Sequence, residues 1–216
     1  DDAVFLQRFF KTGPGDYGAG DVFLGIRVPQ SRVVARKYRD LPLSELKKLL
    51  HAKEHEARLV ALIILTLQYP KADEHQQQKI FDFYLANSKQ INNWDLVDVS
   101  APHIVGAHLF GADTSLLDEL AESELLWDRR IAIIATQYFI RKGEFKDTLR
   151  IARKLLRDEH DLIHKAVGWM LREVGNKDRS ALVAFLDKHH RTMPRTMLRY
   201  AIEKFDASVR ATYLVR

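Results

Sequence analysis

Trp94 and Asp98 stand four residues apart in the stretch Asn92-Asn93-Trp94-Asp95-Leu96-Val97-Asp98-Val99-Ser100-Ala101-Pro102. On a helix that spacing stacks the indole and the carboxylate on one face. Such a pair does not make a core; it marks either a capped helix start or a site. The chemistry it offers is stabilisation of positive charge, which a fixed carboxylate and an aromatic face both attract. The helix must begin just before the pair. Asn92 or Asn93 suits the N-cap, and Asp95 falls in the first turn, where the helix dipole favours negative charge. Asp98 lies at the edge of the same field and is biased toward its ionised form. Pro102 has no N–H, so the Asp98 carbonyl loses its helical partner and a kink is expected there.

Composition limits what can surround this pair. The 216 residues are enough for one large domain with a real core. There is no cysteine, so disulfides and thiolate chemistry are excluded and a reducing compartment, the cytoplasm, fits. The longest apolar run, 59–67, is broken by Thr66 and falls far short of a membrane span. The net charge of +5 is unevenly spread. Residues 127–216 hold 20 Lys and Arg against 11 Asp and Glu, whereas residues 1–126 hold 14 against 18. A basic second half is either a solvated surface or a surface for a polyanion.

The pattern along the chain is almost entirely helical. Helices are expected over 4–10, 30–38, 43–50, 54–69, 73–86, 94–110, 114–121, 125–140, 145–156, 161–174, 180–189, 196–205 and 207–214, with Gly175 stopping the helix before it. Residues 11–21 contain four glycines and a proline and read as a loop that places Tyr17 or a backbone N–H. The loop lacks the spacing of a P-loop or a dinucleotide fingerprint. The run 22–29 is strand-like, but one short apolar run is not a sheet. No metal-ligand spacing appears. The histidines are scattered, and His51, His55, His189 and His190 are expected on the surface rather than as ligands.

The long helices recur. Arg58-Leu59-Val60-Ala61-Leu62-Ile63 is similar to Arg130-Ile131-Ala132-Ile133-Ile134, and Lys165-Ala166-Val167-Gly168-Trp169 is similar to both. Positions 58, 95, 130 and 165 are 37, 35 and 35 residues apart, and Arg195 follows 30 later. A near-fixed period of this length signals an all-α helical-repeat solenoid of stacked helix pairs. Equivalent positions in stacked repeats align, and here the row reads Arg58, Asp95, Arg130, Lys165, Arg195. If that row lines the concave face, it forms a cationic groove for a nucleic-acid backbone, bound without sequence preference.

Five motifs jointly resemble a known family. They are Val22-Phe23-Leu24-Gly25-Ile26-Arg27-Val28-Pro29, Trp94-Asp95-Leu96-Val97-Asp98, Trp127-Asp128-Arg129-Arg130-Ile131-Ala132, Gly168-Trp169-Met170-Leu171-Arg172-Glu173 and Met193-Pro194-Arg195-Thr196-Met197-Leu198-Arg199-Tyr200. Together they resemble the AlkD-like DNA alkylation repair glycosylases, across nearly the whole chain. The resemblance implies a right-handed solenoid of HEAT-like repeats in one domain, 1–216. Residues 1–30 would be an N-terminal helix and Gly-rich loop, and 31–216 stacked helix pairs. It further implies a monofunctional DNA N-glycosylase of base excision repair that excises cationic alkylpurines such as 3-methyladenine and 7-methylguanine. By the same resemblance Asp98 is the catalytic carboxylate, Trp94 and Trp169 hold the lesion's sugar–phosphate, and Arg130 is the active-site cation. Residue types alone would put Trp169 in the core, because 168–171 is apolar. Tyr17 is a candidate for an aromatic the family places near the lesion. Arg199 joins Arg58, Lys165 and Arg195 as a candidate DNA contact. The partner implied is double-stranded DNA with alkylated bases. Neither cofactor, metal nor membrane is called for, and one chain is expected to act as a monomer in the cytoplasm, on the nucleoid when bound to DNA.

The chemistry asked of these residues is modest. An alkylpurine that carries positive charge leaves as a neutral base and needs no general acid. What needs help is an oxocarbenium-like sugar. A site that exploits a cationic leaving group can grip the backbone and leave the base outside, without the tight pocket of a base-flipping enzyme. Two other readings use the same fold: a non-catalytic helical-repeat module that binds damaged or branched DNA, and a protein-binding scaffold.

Overall fold

The computed structural model describes residues 2–215. The chain is all-α, a helical-repeat architecture. Among the described residues no strand forms; a single parallel bridge joins Val22 to Glu54. The packing divides into two compact units, Asp1–His108 and Leu109–Arg216.

In the first unit a short α1 (Asp2–Gln7) is followed by the Gly-rich turns of 11–20 and an irregular stretch over 23–27 that turns at Gly25, φ 84°. Then come α2 (Val28–Lys37), α3 (Leu43–Leu50), α4 (His55–Gln68), α5 (Glu74–Ala86) and α6 (Trp94–Ala101), and the short α7 (Ala107–Leu109) ends one residue past this unit. α4 is the centre: α2, α3 and α6 all pack on it. Its Leu59, Leu62, Ile63 and Leu65 are buried, which is what an apolar face at helical spacing requires. α5 is capped by Asp73, whose carboxylate accepts from the Gln76 N–H at 2.8 Å, an N-cap bond that satisfies one orphan donor.

The expected helix over 94–110 is interrupted. α6 ends at Ala101, and Pro102–Gly106 winds as a π-helix before α7. Pro102 cannot donate back to the Asp98 carbonyl, so the turn widens rather than breaks. The strand-like reading of 22–29 also gives way. Pro29 lies in the first turn of α2 instead of ending a strand. The backbone N–H groups of Leu24, Gly25 and Ile26 all donate to the Glu56 carboxylate, at 2.9–3.2 Å. A carboxylate that takes three donors replaces the neighbouring strand the segment would otherwise need.

The second unit runs through α8 (Ser115–Ala121), α9 (Leu126–Ala135), α10 (Gln137–Arg141), α11 (Lys146–Lys154), α12 (Asp161–Lys177), α13 (Arg179–His189), α14 (Arg195–Ala201) and α15 (Ala207–Leu214). α12 is the counterpart of α4: α9, α11, α13 and α14 pack around it. The expected single helix over 125–140 is split at buried Thr136, whose hydroxyl donates to the Ile133 carbonyl at 2.7 Å and bends the chain. Gly175 does not stop α12, which continues to Lys177. A Cβ at Gly175 would lie 2.4 Å from Leu182 Cδ2, so this glycine lets α13 approach. Among the described residues no helix is long and apolar enough to cross a membrane.

Candidate functional site

α6 places Trp94 and Asp98 as their spacing requires. Leu96, Val97, Ser100 and Ala101 form its buried face, and Trp94, Asp95, Asp98 and Val99 remain half-buried. The inner face is anchored by a buried bond between the Tyr84 hydroxyl and Ser100 Oγ, 2.9 Å, and Ser100 donates in turn to the Leu96 carbonyl. Asn93 is the N-cap: its Oδ1 accepts from the Trp94 N–H at 2.9 Å. The result is an indole and a carboxylate one turn apart on a short, capped helix.

The start of α6 is tied to the N-terminal loop and to α4 through charge. Asn93 Nδ2 donates to Asp21 Oδ2 at 3.3 Å. Asp21 Oδ1 lies 2.7 Å from Arg58 Nη2, and Asp21 Oδ2 lies 3.5 Å from His55 Nδ1. His55 Nε2 meets Asp95 Oδ2 at 2.8 Å. Burial works against a charged His55, yet the carboxylates of Asp21 and Asp95, facing its two ring nitrogens, push its pKa up to about 9. Burial likewise disfavours the Asp21 carboxylate, but His55, Arg58 and Asn93 hold it below the usual carboxylate value. Apolar rings enclose the cluster. Phe23 stacks on His55 with centroids 4.7 Å apart, and Phe10 sits 5.0 Å from the same imidazole. Phe10 also stacks on Trp94.

His55 and Asp21 thus support the site although neither is singled out by its sequence motif. The surface position expected for His55 is wrong: it is 2% exposed. A signal existed, because His55 shares helical spacing with Leu59 and Leu62, both core residues. Asp95, expected to serve the helix dipole, has a second occupation as the partner of His55.

In the second unit α9 and α12 hold Arg130 and Trp169. Trp169 is half-buried and its indole N–H donates to Glu173 Oε1 at 3.1 Å, one turn along α12. Arg130 is only 4% exposed and its Nη1 donates to the Leu162 carbonyl at 2.6 Å, fastening α9 to the first turn of α12. Its neighbour Arg129 pairs with Asp158 at 2.6 Å and donates to the carbonyls of Ser123 and Glu124. Lys165 pairs with Asp161 at 2.7 Å, and Arg195 donates to the Leu214 carbonyl at 2.9 Å. Arg199 is exposed. Tyr17, in the first unit, is half-buried within the Gly-rich turns.

The repeated row therefore corrects the expectation of a bare cationic lining. Arg58, 5% exposed and paired with Asp21, offers no face to a phosphate, and Arg130 is drawn inside as well. The row position faces the neighbouring turn or helix: Arg58 to Asp21, Asp95 to His55, Arg130 to the Leu162 carbonyl. Identical positions in a repeat share an environment, and here that environment is a joint between elements. Lys165, Arg195 and Arg199 keep some exposed surface. Among the described residues no group of three or more His, Asp or Glu stands close enough to hold a metal ion.

The fold built from these elements has solved counterparts. A predicted DNA alkylation repair enzyme from Enterococcus faecalis superposes with a TM-score of 0.71 at 16% identity, covering 95% of both chains. AlkD2 from Streptococcus mutans superposes with a TM-score of 0.61, also at 16% identity, covering 96% of this chain and all of that one. At such identity the likeness carries the fold alone. Among curated proteins none matches this sequence. The DNA alkylation repair enzyme family, however, matches from residue 1 to residue 205. With its helical repeats and a capped helix presenting Trp94 and Asp98, this chain belongs to the DNA alkylation repair enzyme family.

Proposed function

We propose that the chain is a monofunctional DNA N-glycosylase that excises cationic alkylpurines such as 3-methyladenine and 7-methylguanine. Family membership supplies the broader task, repair of alkylation damage in DNA. The observation that carries the finer reading is the half-buried carboxylate of Asp98 one turn from the half-buried indole of Trp94, on a helix fixed at its start by Asn93.

The reaction needs little else. The C1′–N bond breaks with both electrons passing to the purine, which leaves neutral. Positive charge moves to the sugar, where Asp98 opposes it. Water then adds at C1′ and loses a proton, for which Asp98 is the acceptor at hand, and an abasic site remains. Opposite charges about 4 Å apart in an effective dielectric of about 20 attract by roughly 4 kcal/mol. At 1.36 kcal/mol per decade, that is about three decades of rate. Trp94 adds an aromatic face that favours the same charge.

Trp169, in the second unit, is a further proposed aromatic contact to DNA. Arg130 acts from beneath the surface, since its bond to the Leu162 carbonyl sets the start of the helix that carries Trp169. Tyr17, Lys165, Arg195 and Arg199 are the proposed contacts to duplex DNA, and one chain suffices. The base is not enclosed, so adducts larger than methyl are tolerated.

The test is release of methylpurine from methylated duplex DNA, read by chromatography and mass spectrometry. Wild type releases 7-methylguanine, and Asp98→Asn is slower by two to three decades while DNA affinity is little changed. Undiminished release by Asp98→Asn sinks the catalytic assignment. DNA binding without any release by wild type replaces the glycosylase with a binding module.

A further inference from the structure

The buried cluster at the start of α6 is more than packing requires. Phe10 and Phe23 flank the ring of His55, and an apolar side chain would fill that space. Instead the imidazole points one nitrogen at Asp95 and the other toward Asp21. A neutral imidazole has one N–H, and two carboxylates facing both nitrogens call for two. The contacts also join three separate pieces of chain. Asp21 ends the Gly-rich loop, His55 and Arg58 open α4, and Asn93 and Asp95 open α6. Trp94 lies between Asn93 and Asp95 in sequence, and its ring rests on Phe10, which also touches His55.

We propose that His55 is a positioning residue for the chemistry of α6: it clamps the first turn of that helix between the N-terminal loop and α4, and so sets where Trp94 and Asp98 stand against the DNA. The proposal rests on the glycosylase reading for its effect on rate, but not for its effect on geometry. The charged groups around His55 are Asp21 from the loop, Asp95 from α6, and Arg58 from α4, which acts through Asp21. Glu56, next along α4, is turned to the backbone N–H groups of Leu24, Gly25 and Ile26. Loss of a proton from His55 leaves a lone pair facing a carboxylate and opens one side of the clamp. With its pKa near 9, His55 holds both sides at neutral pH.

Two measurements test this. In the first, single-turnover release of 7-methylguanine and the DNA Kd are followed from pH 6.5 to 9.5 for wild type and His55→Gln. The expected result at pH 7 is a rate at least tenfold lower for His55→Gln with Kd within about twofold. The wild-type rate falls as pH rises through about 9, and the variant profile is flat. Equal rates at pH 7, or a rate loss matched by a loss of Kd, overturns the proposal. In the second, the ring nitrogens of His55 and the indole N–H of Trp94 are followed by NMR in the wild-type protein over the same range, so that no variant has to fold. The Trp94 resonance is expected to move with the His55 titration. A Trp94 signal indifferent to that titration overturns the clamp whatever the activity. Coupled signals in a protein that releases no base keep the clamp and reject the glycosylase.

Discussion

Phe10 lies nearly parallel to Trp94, with ring centroids 5.3 Å apart and planes 18° apart. One face of the indole is therefore covered by a residue 84 positions earlier in the chain. Aromatic pairs of this kind contribute about 0.5–1.5 kcal/mol beyond their area. Phe10→Ala should loosen Trp94 without touching Asp98. The expected outcome is a three- to tenfold slower single-turnover excision, with a small loss of stability. A rate equal to wild type would show that the stack does not matter to the site.

Stability should fall at alkaline pH through His55. Its folded pKa, about 9, lies above the ordinary 6.5, so its contribution is complete below about pH 6.5 and is lost as pH climbs through about 9. The raised value corresponds to about 3 kcal/mol, taking 1.36 kcal/mol per unit. Urea unfolding at pH 6 and pH 9.5 should show wild type losing about that much more than His55→Gln over the same interval. Parallel losses in the two proteins would contradict a charged, paired His55.

Glu56 holds the segment over 24–26 in place of a partner strand. Glu56→Gln keeps the shape but presents an amide –NH2 where one carboxylate oxygen met backbone N–H groups. Bonds to a charged acceptor are worth about 1.5–3 kcal/mol each. The variant should be destabilised by about 2 kcal/mol or more, and amide hydrogen exchange at Leu24, Gly25 and Ile26 should quicken by at least tenfold. Unchanged exchange there would mean that the carboxylate is not what orders the segment.

Gly168 makes the joint between α12 and α14. A Cβ at this position would lie 2.5 Å from the Met197 carbonyl oxygen and 2.5 Å from Tyr200 Cβ. Backbone cannot yield as a flexible side chain can, so Gly168→Ala should cost about 1–3 kcal/mol, the usual range for overpacking. It should also disturb Trp169, the next residue. Urea midpoints and the Trp169 contribution to fluorescence, isolated with a Trp169→Phe control, measure both. A stable variant with an unmoved Trp169 would show that α14 can shift freely.

What could be read before the fold was known is what local spacing controls. Trp94 and Asp98 share a face because they are four residues apart, Asn93 caps because its side chain reaches the next N–H, and α3 and α15 span the expected 43–50 and 207–214. The 35–37-residue period announced stacked repeats because an apolar helix face must be buried by its neighbours. Such relations lie within a turn or two of helix, where backbone geometry leaves few alternatives.

Only the tertiary structure decided where the charges went. Arg58 and Arg130 shared a register that promised a cationic lining, and both turned inward, to Asp21 and to the Leu162 carbonyl. His55 met Asp95 across 40 residues, and Asn93 reached Asp21 across 72. A period says which positions are equivalent, not which way they point. Whether a cation meets solvent or a buried carboxylate depends on which distant segment folds against it. That choice is set by the sum of packing and desolvation over the whole unit, and no short window of sequence contains it.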